Sequence, residues 1–192
     1  MKLFSKSLSI LLLASLFQSF SSVTPLSKAK DESLYPRGPP LKATAKIHSF
    51  RTTEKIDGTV TFEDQPTGGC KVTVDIYGLN QNRYGNQSHM YHIHMGRVDS
   101  VDCDAAGGHF NPTKIVSGKC NTTAHELCEI GDLAGKWGKL PPKHHAHAEF
   151  IDPSFSLAGH KENRIVGRSI VIHGTPENPK KPIACGPIFL NS

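Results

Sequence analysis

An all-β fold of short antiparallel strands is what this chain predicts, and three features predict it. Apolar and polar residues alternate in short runs, glycine, proline and asparagine interrupt those runs at close spacing, and no stretch carries a convincing amphipathic-helix period. Such strands close into an antiparallel sandwich or barrel. At 192 residues the chain is long enough for one domain with a proper core and too short for two of ordinary size.

Taken from the start, the elements read as follows. Residues 1–22 open with Lys2 and Lys6, continue with the apolar run Leu8 to Phe17, and end in small residues including Ser19, Ser21 and Ser22. That order of basic, apolar and small residues reads as a secretory signal peptide, with a short membrane anchor as the alternative. Residues 23–40 contain Pro25, Pro36, Pro39 and Pro40 with no period, and read as a linker or propeptide. The domain proper runs over 41–192. Thr59 to Phe62 alternates, and Cys70 to Tyr77 does so more clearly, with Val72, Val74 and Ile76 on one face. Ile165-Val166 and Ser169 to His173 give late strands, separated by Gly167-Arg168. The long stretch from Asp99 to Lys143 shows little periodicity, and a loop of that length usually carries function.

Composition removes several classes of function. The formal net charge of +5 falls to +3 once Lys2 and Lys6 leave with the signal. The basic residues are scattered, with no aromatic-rich basic stripe, so no nucleic acid partner is expected. No apolar run reaches the length of a bilayer span, and Ile188 to Ser192 lacks the tail of a lipid-anchor signal. Secretion makes disulfides the default for Cys70, Cys103, Cys120, Cys128 and Cys185, with one left over. Asn86-Gln-Ser and Asn121-Thr-Thr are glycosylation acceptors that suit the same compartment.

The chemistry lies in the histidines, of which there are 11. In Tyr91-His92-Ile93-His94 the two imidazoles share one face of a strand and can meet one metal ion, although a pair of surface histidines would look the same. Gly107-Gly108-His109-Phe110-Asn111-Pro112 places a third histidine ahead of a proline turn, and Ser169-Ile-Val-Ile-His173 ends a strand on a fourth. A disulfide between Cys103 and Cys185 would draw those two distant segments together. Four imidazoles without thiolate or thioether suit copper, zinc or nickel, and Cu(II) leads on affinity. A closed structural zinc site remains open on these grounds.

From about Leu41 to Asn191 the chain resembles the copper-zinc superoxide dismutases. His92-Ile-His94, Cys103, Gly108-His109-Phe-Asn-Pro112, Ile130-Gly-Asp-Leu133, Leu157-Ala-Gly159, Ile165-Val-Gly-Arg168, Ser169-Ile-Val-Ile-His173 and Ile183-Ala-Cys-Gly186 occur in family order. The resemblance implies an eight-stranded antiparallel Greek-key β-barrel, an immunoglobulin-like sandwich with a long metal-binding loop. It makes His92, His94, His109 and His173 the copper ligands and Cys103–Cys185 the family disulfide, and it implies dismutation of superoxide to oxygen and hydrogen peroxide.

Two departures point to a particular branch. One family zinc histidine is replaced by Glu129, the other would fall near Ser117, and only Asp132 matches the zinc aspartate, with His125 as a displaced candidate. Between His173 and Cys185 lie only the residues Gly174 to Ala184, where zinc-containing members carry a longer charged loop. The family arginine falls at Pro182, with Lys181 the nearest cation. Both resemble the extracellular copper-only dismutases, in which carboxylates at the positions of Glu129 and Asp132 support the histidine that bridges two metals elsewhere. A metal-bound imidazole needs an acceptor on its second nitrogen, and a carboxylate is the usual one. The expectation is therefore a secreted enzyme with one copper per chain, no zinc, and His109, Glu129 and Asp132 as its catalytic residues. Cys120–Cys128 would brace the long loop, leaving Cys70 free. Two other functions fit the same residues: a secreted copper-buffering protein, kept open by Lys143-His-His-Ala-His147 although that stretch reads more simply as a solvated turn after Pro141-Pro142, and an inert domain with zinc in the four-histidine site. The absence of a Met-x-Cys-x-x-Cys segment argues against a copper chaperone.

Overall fold

The computed structural model describes residues 39–50, 55–80, 86–99, 102–116, 118–159, 161–174, 178 and 181–192. The signal segment and all but the last two residues of the linker lie outside them. Among the described residues are seven strands: β1 (Lys42–Ser49), β2 (Asp57–Asp64), β3 (Cys70–Tyr77), β4 (Tyr91–His94), β5 (His145–Asp152), β6 (Ser169–His173) and β7 (Pro182–Leu190). They form one sheet in the order β4-β6-β7-β1-β2-β3-β5, every pair antiparallel.

Alternation fixes which face is buried. Ala43, Ala45 and Ile47 of β1, Val60 and Phe62 of β2, and Cys70, Val72, Val74 and Ile76 of β3 all point inward. Phe155 closes edge-on against Phe62 at 6.1 Å. Each of the valine, isoleucine and phenylalanine side chains among them contributes about 1.5–3 kcal/mol by leaving water. Strand β6 is buried on both faces. Its outer face is covered by a second cluster, in which Phe50, Val98, Cys103 and Ala106 pack on Val171 and Cys185. This explains why Ile170 to Ile172 reads as an unbroken apolar run.

Three sequence expectations change. Ile165-Val166 forms no strand, because the chain turns there and meets Ser156 through a single bridge at Arg164. The stretch around His144 to His147 is not a solvated turn after Pro141-Pro142; it enters β5, with Ala146 buried and His145 and His147 exposed. The long loop is not structureless. It carries 3-10 turns at Cys103–Ala106 and His125–Leu127 and one short helix, α1 (Leu133–Trp137). No described helix is long and apolar enough to cross a membrane.

Helix α1 is fastened from below by a buried ion pair. Lys136 Nζ lies 2.5 Å from Asp152 Oδ2 and donates to the Ile130 carbonyl at 2.9 Å, while the Trp137 indole N–H donates to the same carboxylate at 2.9 Å.

Two disulfides brace the loop, Cys103–Cys185 and Cys120–Cys128, and Cys70 is free and buried. The Cys70 thiol donates to Asp64 Oδ1 at 3.2 Å, and burial pushes it far above its ordinary range. Non-reducing peptide mapping is expected to return these two links and an unlinked Cys70; any link to Cys70 would overturn the scheme. Because Cys103–Cys185 spans 82 residues, Cys103→Ser with Cys185→Ser should lower stability by about 4 kcal/mol.

Candidate metal centre

Three remote segments are brought together by backbone hydrogen bonds centred on Ile93. The Ile93 N–H donates to the Gly131 carbonyl (2.9 Å), the Gly131 N–H to the Phe110 carbonyl (2.8 Å), and the Phe110 N–H to the Ile93 carbonyl (2.8 Å). This closed ring holds His92 and His94 beside His109 and beside Glu129 and Asp132. It depends on close approach: a Cβ on Gly131 would sit 2.3 Å from the Ile93 oxygen. His173 arrives through β6, where Tyr91 pairs with Ile172 and the His173 N–H donates to the Met90 carbonyl at 2.9 Å.

The four histidines of the sequence reading converge. One ring nitrogen from each of His92, His94, His109 and His173 lies within 4.8 Å of the others. His92, His94 and His173 are buried, and the His109 side chain is about one-third exposed. The Nδ1 atoms of His94 and His109 are held from outside the cluster. His94 Nδ1 lies 2.8 Å from the Gly107 carbonyl, and His94 Nε2 faces His173 Nε2 at 3.2 Å. Gly107 reaches this position with φ +69°, a conformation that favours glycine. His109 Nδ1 lies 2.7 Å from Glu129 Oε2, whose other oxygen accepts from Asn111 Nδ2 at 3.2 Å.

Asp132 departs from its expected place. Its Oδ1 lies 3.4 Å from His92 Nε2 and accepts from the Gly135 N–H at 2.8 Å, capping α1. The two carboxylates thus serve different histidines, Glu129 for His109 and Asp132 for His92. Burial raises the Asp132 carboxyl, but hydrogen bonds from His92 and Gly135 outweigh it and leave the group below its ordinary value. Burial lowers His92 and brings His94 down to about 4, so both rings offer neutral lone pairs at pH 7. His92 Nδ1 is buried and has no hydrogen-bond partner in the protein. An orphaned buried nitrogen is costly unless something binds it. Four imidazoles, three of them buried and one with such an orphan, fit a nitrogen-preferring transition metal.

The cluster floors an open cavity of ≈ 670 Å³ that Met90, Ala134 and Lys139 also line. Lys181, the cation expected nearby, is exposed and is not part of this lining. Lys139 takes that position because the next residue, Leu140, forms a β-bridge with His89. No local signal in the sequence marks that pairing. His125 packs edge-on against Trp137 at 4.5 Å and is not part of the four-histidine cluster. Ser117 lies outside the described residues. Asn86 and Asn121 are exposed, and Asn121 Oδ1 accepts from the Thr123 N–H at 2.9 Å in an open turn.

An antiparallel β protein with four imidazoles converging at one cavity has the donor set of a histidine-ligated metalloprotein. The sequence pattern of the copper/zinc superoxide dismutases (SODC) matches residues 56–188, and the chain belongs to that family. It is similar to two Candida albicans proteins. Cell surface superoxide dismutase [Cu-Zn] 4 is 34% identical over 130 residues, covering 66% of this chain and 53% of that one. Cell surface Cu-only superoxide dismutase 5 is 35% identical over 130 residues, covering 66% and 54%. The chain thus spans about half the length of these two relatives. The solved structure of Candida albicans superoxide dismutase 5 in its Cu(II) form superposes with a TM-score of 0.66 at 31% identity, covering 80% of this chain and 94% of that one.

Proposed function

We propose that the chain is a secreted superoxide dismutase that works with one copper ion and no zinc at the centre formed by His92, His94, His109 and His173. The observation that carries this reading is the Glu129 carboxylate on His109 Nδ1, at 2.7 Å. In a two-metal member that nitrogen would face zinc; here a side chain of the protein holds it. The name of the Candida Cu-only relative supports the same reading, as does its copper-bound structure. The name of the other relative, which includes zinc, keeps the two-metal form as the competing outcome. Cell-surface relatives and the signal-like first 22 residues support secretion, and the exposed Asn86 and Asn121 suit glycosylation in that compartment. The fold that fits is a closed, eight-stranded Greek-key barrel, with Gly131 and Leu140 hydrogen-bonded to Ile93 and His89 along the edge of β4.

Copper, when bound, supplies the one-electron chemistry that oxidises one superoxide to oxygen and reduces a second, with two protons, to hydrogen peroxide. The chain's own residues do the rest. His94 is fixed in one tautomer by Gly107, which leaves Nε2 free to ligate. His109 and Glu129 hold a proton between Nδ1 and Oε2 at the cavity edge. Lys139 gives the cavity a positive rim for an anion.

Glu129→Gln keeps the shape and removes the charge. Turnover is expected to fall about 10- to 100-fold, with copper retained and the deficit widening as pH rises and protons become scarce. Turnover like wild type across the pH range would reduce Glu129 to a turn residue. For the function itself, apo-protein is reconstituted with copper alone and with zinc alone. Superoxide removal with copper and none with zinc is the expected pair; copper binding without turnover would favour the buffering protein.

A further inference from the structure

We propose that Asp75, His145 and His147 form a second metal site on the outer face of the sheet, one that takes a divalent zinc or copper(II) ion. The site is a consequence of strand register. His145 and His147 are two apart on β5 and so share a face, and Asp75 of β3 pairs directly with His147. Asp75 Oδ1 lies 3.0 Å from His145 Nε2 and 2.8 Å from His147 Nδ1, and all three donor atoms fall within 4.8 Å of one another. Zinc bonds of about 2.0–2.2 Å in a tetrahedral site set donor separations near 3.3 Å, so small rotations of exposed side chains suffice.

The set is also oriented in advance. Tyr77 stacks on the His145 ring at 4.4 Å with an interplanar angle of 5°. Lys71, on the same outward face of β3, is engaged 2.9 Å from Glu149 Oε1. Two imidazoles and a carboxylate are donors that zinc and copper(II) share. Their exposure, with side chains 43% and 53% accessible for His145 and His147, leaves remaining positions to water. That describes an exchangeable surface site, separate from the buried four-histidine centre and independent of what that centre holds.

The test compares total bound metal in the full-length wild type and in His145→Ala/His147→Ala, by equilibrium dialysis against zinc alone and then against copper(II) alone. Taking the difference removes the contribution of the buried centre, whatever it binds. Wild type is expected to hold one equivalent more than the double variant, and Asp75→Asn to weaken that extra equivalent. Far-UV circular dichroism should be unchanged, since the replaced side chains are exposed. If zinc gives no difference but copper(II) does, the site stands as a copper site. No difference with either ion, or an extra equivalent that survives in the double variant, overturns the proposal.

Discussion

Replacing His94 with alanine is expected to abolish copper-dependent superoxide removal while the sheet stays folded. His94 is the most constrained of the four histidines: its ring is buried, Nδ1 is held by the Gly107 carbonyl at 2.8 Å, and Nε2 faces His173 Nε2 at 3.2 Å. Loss of the ring removes one of four nitrogens and leaves the Gly107 carbonyl without its donor. The stability cost is about 1–3 kcal/mol, small beside the loss of the centre. His92→Ala and His173→Ala should behave alike. Copper content, activity and thermal melting on the same sample separate loss of metal from loss of fold. Wild-type activity in any of the three variants would remove that residue from the ligand set.

Asp152→Ala is expected to produce a large loss of stability, about 3–5 kcal/mol, because it strands a buried ammonium. Lys136 and Asp152 have side chains 2% and 0% exposed, and the carboxylate also holds the Trp137 indole and the Ser154 hydroxyl. Helix α1, and through it the Asp132 cap beside His92, hangs on this pair. Lys136→Met combined with Asp152→Leu should cost less than Asp152→Ala alone, since no unpaired charge remains. Urea unfolding midpoints decide it. An Asp152→Ala protein as stable as wild type would show that the pair does not carry α1.

The parts legible in the sequence are those where local pattern and tertiary role agree. Cys70 to Tyr77 alternates because one face is core and the other solvent, and it is β3 as expected. His92-Ile93-His94 reads as a ligand pair because Ile93 is the core residue between them. His109 and His173 have no local signature of that strength; family order supplied them. Strand β5 was hidden because half of its alternation is histidine and alanine after two prolines, so neither face looks apolar. The division of labour between Glu129 and Asp132 and the position of Lys139 depend on the Ile93–Gly131–Phe110 ring and the His89–Leu140 bridge. Those are pairings between segments far apart in the chain, and no residue pattern encodes them.

The most direct test of the central claim is metal content together with dismutase activity, measured on His145→Ala/His147→Ala protein secreted with both metals available. That background keeps the surface cluster out of the count. The account predicts one copper per chain, no stoichiometric zinc, and full activity. A full equivalent of zinc whose removal abolishes activity would contradict it, and would mean that Glu129 shares His109 with a second metal.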